Sequence, residues 1–303
     1  MIKSRVCDLL GIRYPVIQGV VGAKHIQIAA AVSQAGGLGV IHGMSAAQTP
    51  EGENRKDRIR SCIREMRQLT SNPFSINIVV RRPTADDLVN TAIEEGMKVV
   101  VTSSGDPGKY TPRLKEANIR VLHVLANTDQ AMKAAEAGVD VVIAAGVEAG
   151  GWQSRDEVTT FCLIPQVVDA LEGRIPVVAA GGIGDSRGVV AAFSLGAEGV
   201  QMGTRFLASI EASLDKGWGE AILRARDTST EITGRGESPA RNFKIDFLQE
   251  VRPGFNRPKA GPGGGAGQVS GMINEIMSVE DIIKQLTEGV GEVLDKLNKS
   301  FAL

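Results

Sequence analysis

Two glycine-containing turns are the clearest indication of a ligand site in this sequence. Gly181 and Gly182 directly follow one short apolar run, and Gly203 with Thr204 follows the next one. Each run is typical of a buried parallel strand, and the segment between them is typical of a helix. Glycines at the carboxyl ends of neighbouring parallel strands let backbone N–H groups approach an anion without obstruction. We therefore expect a phosphate-bearing ligand at this position.

Three polar side chains near the ends of other apolar segments could also do chemistry. Asn77 lies inside the apolar segment INIVV, where an unpaired amide would cost a few kcal/mol, so a ligand or the backbone of the sheet must pair with it. His42 follows an apolar run and could reach a site at the strand ends, or be a structural residue there. Glu148 lies in a glycine-rich loop; in a dry pocket it could act as an acid, and otherwise it orients the loop.

The elements that must position these residues alternate in type over the first two thirds of the chain. Strands are predicted at 15–19, 38–41, 74–79, 99–102, 121–125, 141–144, 176–180 and 199–202. Helices are predicted at 26–35, 58–69, 85–95, 111–117, 129–137, 163–171 and 186–195. Eight strands separated by helices predict an α/β fold, a TIM (β/α)8 barrel, with a doubly wound open sheet as the alternative. In such barrels the loops after the seventh and eighth strands commonly hold phosphate, which matches the two glycine turns.

The pattern changes after residue 207. A helix is predicted at 211–226, an irregular polar stretch at 233–250, a loop rich in proline and glycine at 253–267, and two helices at 279–287 and 291–297. We interpret the chain as a barrel over 1–207, a small cap or substrate region over 208–261, and a C-terminal loop with closing helices over 262–303. The closing helices are expected to pack back on the barrel.

Composition narrows the class of protein. The chain has 303 residues, of which 43% are hydrophobic and 23% charged, and a formal net charge of −1, which is typical of a globular protein and argues against a nucleic-acid partner. Cys7, Cys62 and Cys162 are widely separated, which indicates a reducing compartment and predicts no metal site. No segment approaches the roughly 20 apolar residues of a membrane helix, and the first residues lack the apolar core of a signal peptide. A cytoplasmic protein without a membrane partner is expected.

The glycine segment at 175–206 and five other segments, in order, resemble one superfamily. The others are YPVIQG at 14–19, AGGLGVI at 35–41, INIVV at 76–80, AGVDVVIAAGVEAGGW at 137–152 and GAGQVSGMI at 265–273. Together they resemble the nitronate monooxygenases, long called 2-nitropropane dioxygenases. They are equally similar to the FMN-dependent enoyl-acyl-carrier-protein reductases of the same superfamily.

The resemblance implies that residues 1–207 form an FMN-binding barrel with the isoalloxazine ring across the strand ends. The cofactor-binding positions that it implies are Gln18, Gly19, Asn77, Ala145, Gly150, Gly181, Gly182, Gln201, Met202, Gly203, Thr204 and Gln268. The amides of the glycine turns and the Thr204 hydroxyl would bind the phosphate. Other roles stay open for several of these residues: Gln201 and Met202 could fill the barrel, Gln18 could be a wall residue, and the loop of Gln268 could be a simple turn.

Two departures from the family pattern bear on the chemistry. Family members usually have a histidine after the EAGG motif, as catalytic base or substrate ligand, whereas this chain has Trp152. An indole cannot accept a proton, but it can donate one hydrogen bond and can stack on a flavin or line an apolar pocket. Ala145 stands where many nitronate monooxygenases have a flavin-binding glutamine. Both changes weaken proton abstraction from a nitroalkane; nitronates, which are already deprotonated, are less affected.

The sequence thus predicts an FMN-dependent oxidoreductase that oxidises nitronates or a related small substrate at flavin N5. Trp152, Glu148 and His42 are the candidate catalytic residues. The first alternative is an enoyl-thioester reductase that acts on acyl-carrier-protein or coenzyme A thioesters, with NAD(P)H as a transient electron donor. Further alternatives are a flavin-binding module without catalysis and a flavin-free sugar-phosphate isomerase or aldolase.

The expected partners are a small-molecule substrate or such a thioester, and a homodimer is left open. Arg235, Arg241 and Lys244 in the cap region could bind the phosphate of a carrier, or could form a solvated charged face.

Overall fold

The computed structural model describes residues 3–21, 25–48, 54–212, 216–255 and 265–301. The strands are β1 Val16–Gln18, β2 Gly39–Ile41, β3 Phe74–Val79, β4 Val99–Ser103, β5 Arg120–Leu125, β6 Val141–Ala145, β7 Gly151–Trp152, β8 Val177–Ala180, β9 Gly199–Met202, β10 Thr230–Thr233 and β11 Ala240–Phe243. The helices are α1 Arg5–Leu10, α2 His25–Gln34, α3 Gly43–Ala46, α4 Arg55–Leu69, α5 Ala85–Glu94, α6 Thr111–Glu116, α7 Thr128–Glu136, α8 Thr160–Leu171, α9 Ser186–Ser194, α10 Thr204–Leu207, α11 Lys216–Arg224, α12 Ile245–Val251 and α13 Val279–Phe301. Short 3-10 turns lie at Pro107–Lys109 and Gln268–Met272. No helix among the described residues is both long and apolar enough to cross a membrane.

Eight parallel strands form the barrel, in the order β1-β9-β8-β6-β5-β4-β3-β2. The ring closes between β1 and the residue before β2, where Gln18 N donates to Leu38 O and Leu38 N donates to Val16 O, each at 2.9 Å. The predicted (β/α)8 barrel is confirmed, and its predicted seventh and eighth strands are β8 and β9. The prediction succeeds because short valine-rich runs between amphipathic helices are a local signal.

The alternation along each strand separates two hydrophobic layers. Ile17, Val101, Leu122 and Ile143 point into the barrel, and their strand neighbours pack against the surrounding helices. Residues of α1, among them Val6 and Leu10, join the interior layer, so the first helix plugs the amino-terminal end of the barrel. The carboxyl ends of the strands are therefore the end at which a ligand can enter.

The cap carries a small antiparallel sheet in the order β10-β11-β7. The prediction that residues 233–250 are irregular is therefore wrong, because β11 lies within this range and α12 begins in it. Arg241 and Asn242 are polar, yet they are buried in β11 and pair with other polar groups, so no apolar alternation marks this strand. Strand β7 is a two-residue segment of the loop after β6, and only its pairing with β11 makes it a strand.

A single helix, α13, closes the chain instead of the two helices that were predicted. The predicted break covers residues 288–290, which include Gly289, and glycine weakens a helix. A Cβ atom on Gly289 would lie 2.9 Å from Ser186 Oγ in α9, so this glycine permits close packing of the two helices rather than ending one. Two other predictions are tested only in part: residues 213–215 of the predicted helix 211–226 and residues 256–264 of the loop 253–267 lie outside the described residues.

Candidate functional site

A cavity of about 400 Å³, here called the inner cavity, opens at the carboxyl ends of the barrel strands. This volume is within the range of small-molecule and cofactor sites. The structure brings most of the predicted site residues to its wall: Gly19, His42, Asn77, Ala145, Glu148, Gly150, Trp152, Gly181, Gly182, Gln201, Met202, Gly203 and Thr204. Gln18 and Gln268 do not line it.

The glycine turns after β8 and β9 form one side of the inner cavity. Gly181 and Gly182 have φ of +99° and +71°, in the left-handed region that other residues rarely adopt. A Cβ on Gly181 would also lie 2.9 Å from Thr160 Oγ1 and 3.1 Å from Ala149 N. Thr204 Oγ1 accepts a hydrogen bond from Gly267 N at 3.0 Å, which leaves the hydroxyl proton free to donate to a ligand. The turn is a cradle that only glycine fits.

Asn77 and Gln201 supply amide groups to the inner cavity. The neighbours of Asn77 in β3, Ile76 and Ile78, pack against the helices, so Asn77 faces the interior, where its Nδ2 donates to Ser103 Oγ at 3.2 Å. Gln201 is half-buried. In the order of strands around the barrel, β3 lies opposite β8, so Asn77 and the phosphate turn lie on opposite sides of the mouth.

Three residues that were predicted to bind the cofactor do not direct their side chains into the inner cavity. Gln18 is fully buried, and its Oε1 accepts from Val40 N at 3.1 Å across the closure of the barrel, which supports the wall alternative. Gln268 has an exposed side chain, and its backbone N donates to Glu148 O at 2.9 Å, which supports a turn. The side chain of Met202 packs in the outer core, while the residue still borders the cavity.

Glu148 borders the inner cavity but directs its carboxylate to the start of α8. Thr160 N donates to both carboxylate oxygens, at 3.0 and 2.9 Å, and Thr160 Oγ1 donates to Oε2 at 2.9 Å. A carboxylate is favoured there, because the first N–H groups of a helix are unpaired and carry partial positive charge. This geometry supports the loop-orienting alternative, and the acid role of Glu148 stays a prediction.

Trp152 is half-buried and is held over the barrel mouth by the cap, because β7 pairs with β11 at Ala240. The guanidinium carbons of Arg81 and Arg82 lie 5.8 and 5.2 Å from the centroid of the Trp152 ring, within cation–π distance. Sequence reasoning missed these two arginines. The available signal was a pair of basic residues placed just after the third strand, at the end of the barrel where ligands bind.

A second cavity of about 430 Å³, here called the outer cavity, adjoins the inner one. The two share part of their walls, formed by Ser103, Ser104, Val124, Ala145 and Trp152. Ser104 has φ of 54°, an uncommon backbone conformation for a serine, and such conformations cluster at ligand sites. Trp152 thus lies between two connected spaces.

His42 is the histidine that lines the inner cavity, among those with described side chains. Its Nδ1 lies 2.5 Å from Ser45 Oγ, just before the short helix α3. His123 instead faces the helices from β5 and lies 2.8 Å from Thr102 Oγ1 through Nδ1. Burial lowers the pKa of His123 to about 4 and outweighs the charge of Asp106, which raises it, so His123 stays neutral near pH 7.

The cations considered in the cap have structural partners. Arg235 Nε lies 2.6 Å from Glu157 Oε1. Arg241 is buried; its Nε donates to Val147 O at 2.8 Å, and desolvation lowers its pKa. Lys244 is exposed and precedes α12. The first two residues fix the cap to the loop after β6, which does not favour the carrier-binding role considered for them.

The fold and the inner cavity define a (β/α)8 barrel with its ligand site at the carboxyl ends of the strands. The nitronate monooxygenase family model matches residues 3–260. A probable nitronate monooxygenase of Staphylococcus aureus is 33% identical, with 82% of this chain and 80% of that one covered. Another, of Staphylococcus saprophyticus, is 32% identical, with 82% and 81% covered.

Two solved structures are similar to this chain over almost its whole length. FabK from Thermotoga maritima superposes with a TM-score of 0.86 at 39% identity and covers 99% of this chain and 100% of its own. Nitroalkane oxidase from Streptomyces ansochromogenes superposes with a TM-score of 0.78 at 26% identity, with 96% and 99% covered. The chain belongs to the nitronate monooxygenase family. It is a flavin-dependent oxidoreductase of that superfamily, as the resemblance implied.

Proposed function

We propose that this protein is an FMN-dependent oxidoreductase that oxidises nitronates or a related small substrate. The observation that carries the proposal is the inner cavity, in which an anion cradle after β8 and β9 faces the Asn77 amide across the mouth. A cofactor with a phosphate tail and a flat polar ring needs both features, on opposite sides. FMN, when bound, supplies the electron-transfer chemistry.

The residues of the inner cavity bind and orient in this proposal. Backbone N–H groups at Gly181, Gly182 and Gly203 and the Thr204 hydroxyl hold the phosphate. Asn77 and Gln201 donate and accept hydrogen bonds at the ring edge. The inner cavity fits such a group, because the positive φ of Gly181 and Gly182 and the close approach of Gly181 to the loop after β6 form a tight turn on that side of its wall.

Trp152 determines which form of a nitro compound suits the site. It lines the mouth, and its indole can donate a hydrogen bond but cannot accept a proton. A substrate that is already an anion requires no base, and this favours a nitronate over a neutral nitroalkane. His42 is the candidate for any proton transfer, and Glu148 positions the loop that carries Trp152.

A second candidate is an enoyl-thioester reductase that takes electrons from NAD(P)H. Two observations favour it: FabK, an enoyl-acyl-carrier-protein reductase, is 39% identical over almost the whole chain, and the outer cavity adds space for a larger substrate. An acyl-carrier-protein or coenzyme A thioester would then be the substrate.

Spectroscopy of the purified protein tests both candidates. We expect flavin absorption bands and release of FMN, distinguished from FAD by chromatography after denaturation. Oxygen uptake with a preformed alkyl nitronate supports the first candidate. Anaerobic bleaching by NADH or NADPH, followed by reoxidation with an enoyl thioester, supports the second. A colourless protein that does not take up added FMN would overturn both and return the flavin-free barrel to consideration.

A further inference from the structure

The outer cavity is bordered by arginines that have no acidic partner. Arg81 lines this cavity, and Arg82 lies over the ring of Trp152, which also lines it. Both arginines are exposed, and no carboxylate of the described residues forms an ion pair with either. On helix α4, by contrast, Arg60 and Arg67 both pair with Glu95. Unpaired cations concentrated beside a cavity indicate an anionic ligand.

The cation–π contacts with Trp152 hold both guanidinium groups near the cavity, where they can meet an anion. A guanidinium that lies against a ring keeps its N–H groups in its own plane, where they can grip two oxygens of one phosphate. Arg155 adds a third positive charge to the wall of the outer cavity, and its guanidinium donates to Gly236 O at 3.2 Å and Glu237 O at 3.3 Å. These hydrogen bonds use backbone carbonyls, so the charge of Arg155 is not neutralised by them.

The sum of charges favours more than one phosphate group. Arg81 and Arg155 line the cavity and Arg82 lies beside it over the Trp152 ring, which makes three positive charges, and Glu237 is the acidic side chain of the lining. The cavity, at about 430 Å³, is also much larger than an inorganic phosphate needs. Val124 and the ring of Trp152 provide apolar surface on which a flat base can lie.

We propose that the outer cavity binds the diphosphate of a ligand that carries adenosine diphosphate, with Arg81 and Arg82 as the anion-binding residues. The reacting end of that ligand passes Trp152 and enters the inner cavity, with which the outer cavity shares a wall. The inference rests on the second candidate function. Reduced nicotinamide dinucleotides and coenzyme A thioesters both carry this group, and the experiment distinguishes them.

The test compares the double variant Arg81→Gln/Arg82→Gln with Arg13→Gln. Arg13 is an exposed arginine whose guanidinium lies 4.9 Å from the Tyr14 ring, before β1 at the plugged end of the barrel, which makes it a matched control. One arm compares NADH with 1-benzyl-1,4-dihydronicotinamide, which lacks the diphosphate. The other arm compares an enoyl-coenzyme A with the same acyl group on N-acetylcysteamine.

We expect the double variant to raise KM for the diphosphate-bearing member of one pair by about tenfold or more, with kcat within about twofold, since charge-assisted hydrogen bonds are lost. The truncated member of that pair should keep its KM. The arm that responds identifies the source of the diphosphate. The difference in KM between the wild type and the double variant should become smaller at high salt, because exposed charges are screened. Equal KM values in the wild type and the double variant, or the same loss in Arg13→Gln, would overturn the proposal.

Calorimetric titration with ADP measures the affinity of the outer cavity for the diphosphate group independently of turnover. The wild type and Arg13→Gln should bind ADP with similar affinity, and the double variant about tenfold or more weakly. A wild type that does not bind ADP would overturn the proposal. Flavin absorbance in the same samples tests the proposed function separately: a colourless protein contradicts that function, whereas unchanged ADP binding in the double variant contradicts only the cavity assignment.

Discussion

At the scale of single residues, the proposed chemistry of the mouth depends on Trp152. A short strand pair with the cap holds it in place, and two guanidinium groups lie against its ring. It offers one N–H donor and no acceptor, so in the proposed function it can orient a substrate but cannot take up a proton. Substrates that need a base at this position are therefore at a disadvantage.

Replacing Trp152 with histidine should extend the enzyme to neutral nitroalkanes. An imidazole has an ordinary pKa near 6.5 and can accept a proton, while the neighbouring arginines favour its neutral form. We expect Trp152→His to consume oxygen with a neutral nitroalkane at a rate that rises with pH between about 5 and 7, while the wild type acts on the preformed nitronate. Trp152→Phe is the control, because it keeps a ring without a proton acceptor. Equal gain in both variants would refute the explanation.

Replacing Glu148 with glutamine should weaken the loop rather than change the chemistry. The new amide would direct an N–H group at the donors of Thr160, so at least one hydrogen bond to the start of α8 is lost. We expect the free energy of unfolding to fall by about 1–3 kcal/mol and FMN to dissociate more readily.

Turnover of FMN-saturated Glu148→Gln should keep its pH profile. Glu157→Gln is the control in the same loop; its surface pair with Arg235 should contribute less than about 1 kcal/mol. Loss of one limb of the pH profile in Glu148→Gln, with FMN bound, would instead support the acid role of this residue.

At the scale of elements, close approach between helices explains why α13 is continuous. Gly289 faces Ser186 of α9, whereas a Cβ atom on Gly291 would meet nothing within 4 Å. Two glycines one residue apart therefore have different reasons to be glycine. The first is required by packing, and the second has no packing requirement in the structure.

The two glycines give opposite predictions for alanine substitution. Gly291→Ala should raise the free energy of unfolding by about 0.5–1 kcal/mol, because alanine loses less backbone entropy in a helix. Gly289→Ala should fail to stabilise or should destabilise, since the new methyl group would lie 2.9 Å from Ser186 Oγ. Denaturant unfolding of both variants checks this. Equal stabilisation by both would show that α13 can move away from α9 at no cost.

The buried histidine in β5 predicts a pH dependence of stability. His123 has a pKa of about 4 in the folded protein and 6.5 without burial, so below pH 6.5 the unfolded chain binds more protons. Stability is complete above pH 6.5 and falls as the pH decreases towards 4. The loss from His123 at pH 5 should be about 2 kcal/mol relative to pH 7. Urea unfolding of His123→Gln should show a smaller difference between these two pH values, and an identical difference would contradict the assignment.

At the scale of the whole molecule, the barrel is closed at one end and open at the other. The residues of α1 plug the amino-terminal end, while the carboxyl end holds the inner cavity beneath the cap. A ligand that binds there contacts strand ends from opposite sides of the barrel and the late loop around Gly267. Binding and global stability should therefore be coupled.

FMN should stabilise the folded protein through the Thr204 contact. At an FMN concentration of 100 times the Kd of the wild type, the free energy of unfolding of the wild type should increase by about 2.7 kcal/mol. Thr204→Val should reduce the gain, because it loses the hydroxyl and its contact with Gly267 N. Thr204→Ser keeps the hydroxyl and should show the gain of the wild type. Thermal unfolding of the apoprotein with and without FMN gives the comparison. An FMN-dependent increase in Tm that is as large in Thr204→Val as in the wild type would exclude Thr204 from phosphate binding.

The sequence by itself determined the barrel and the position of its ligand turns. Valine-rich runs, amphipathic helices and paired glycines are local signals, so strands such as Phe74–Val79 and Gly199–Met202 were predicted with the bounds that the structure has. The structural positions of Asn77, Gly181 and Thr204 around one cavity followed from the rule that parallel strands end on the same face.

Only the tertiary structure decided the pairing of β7 with β11, the continuity of α13, and the burial of Gln18 in the barrel wall. The arginines beside Trp152 likewise became a candidate site only through contact across some 70 residues of chain. Such contacts join residues distant in sequence, and polar residues whose partners lie elsewhere leave no periodic pattern. The local pattern indicates which face a residue occupies, and the fold alone decides which residue it meets there.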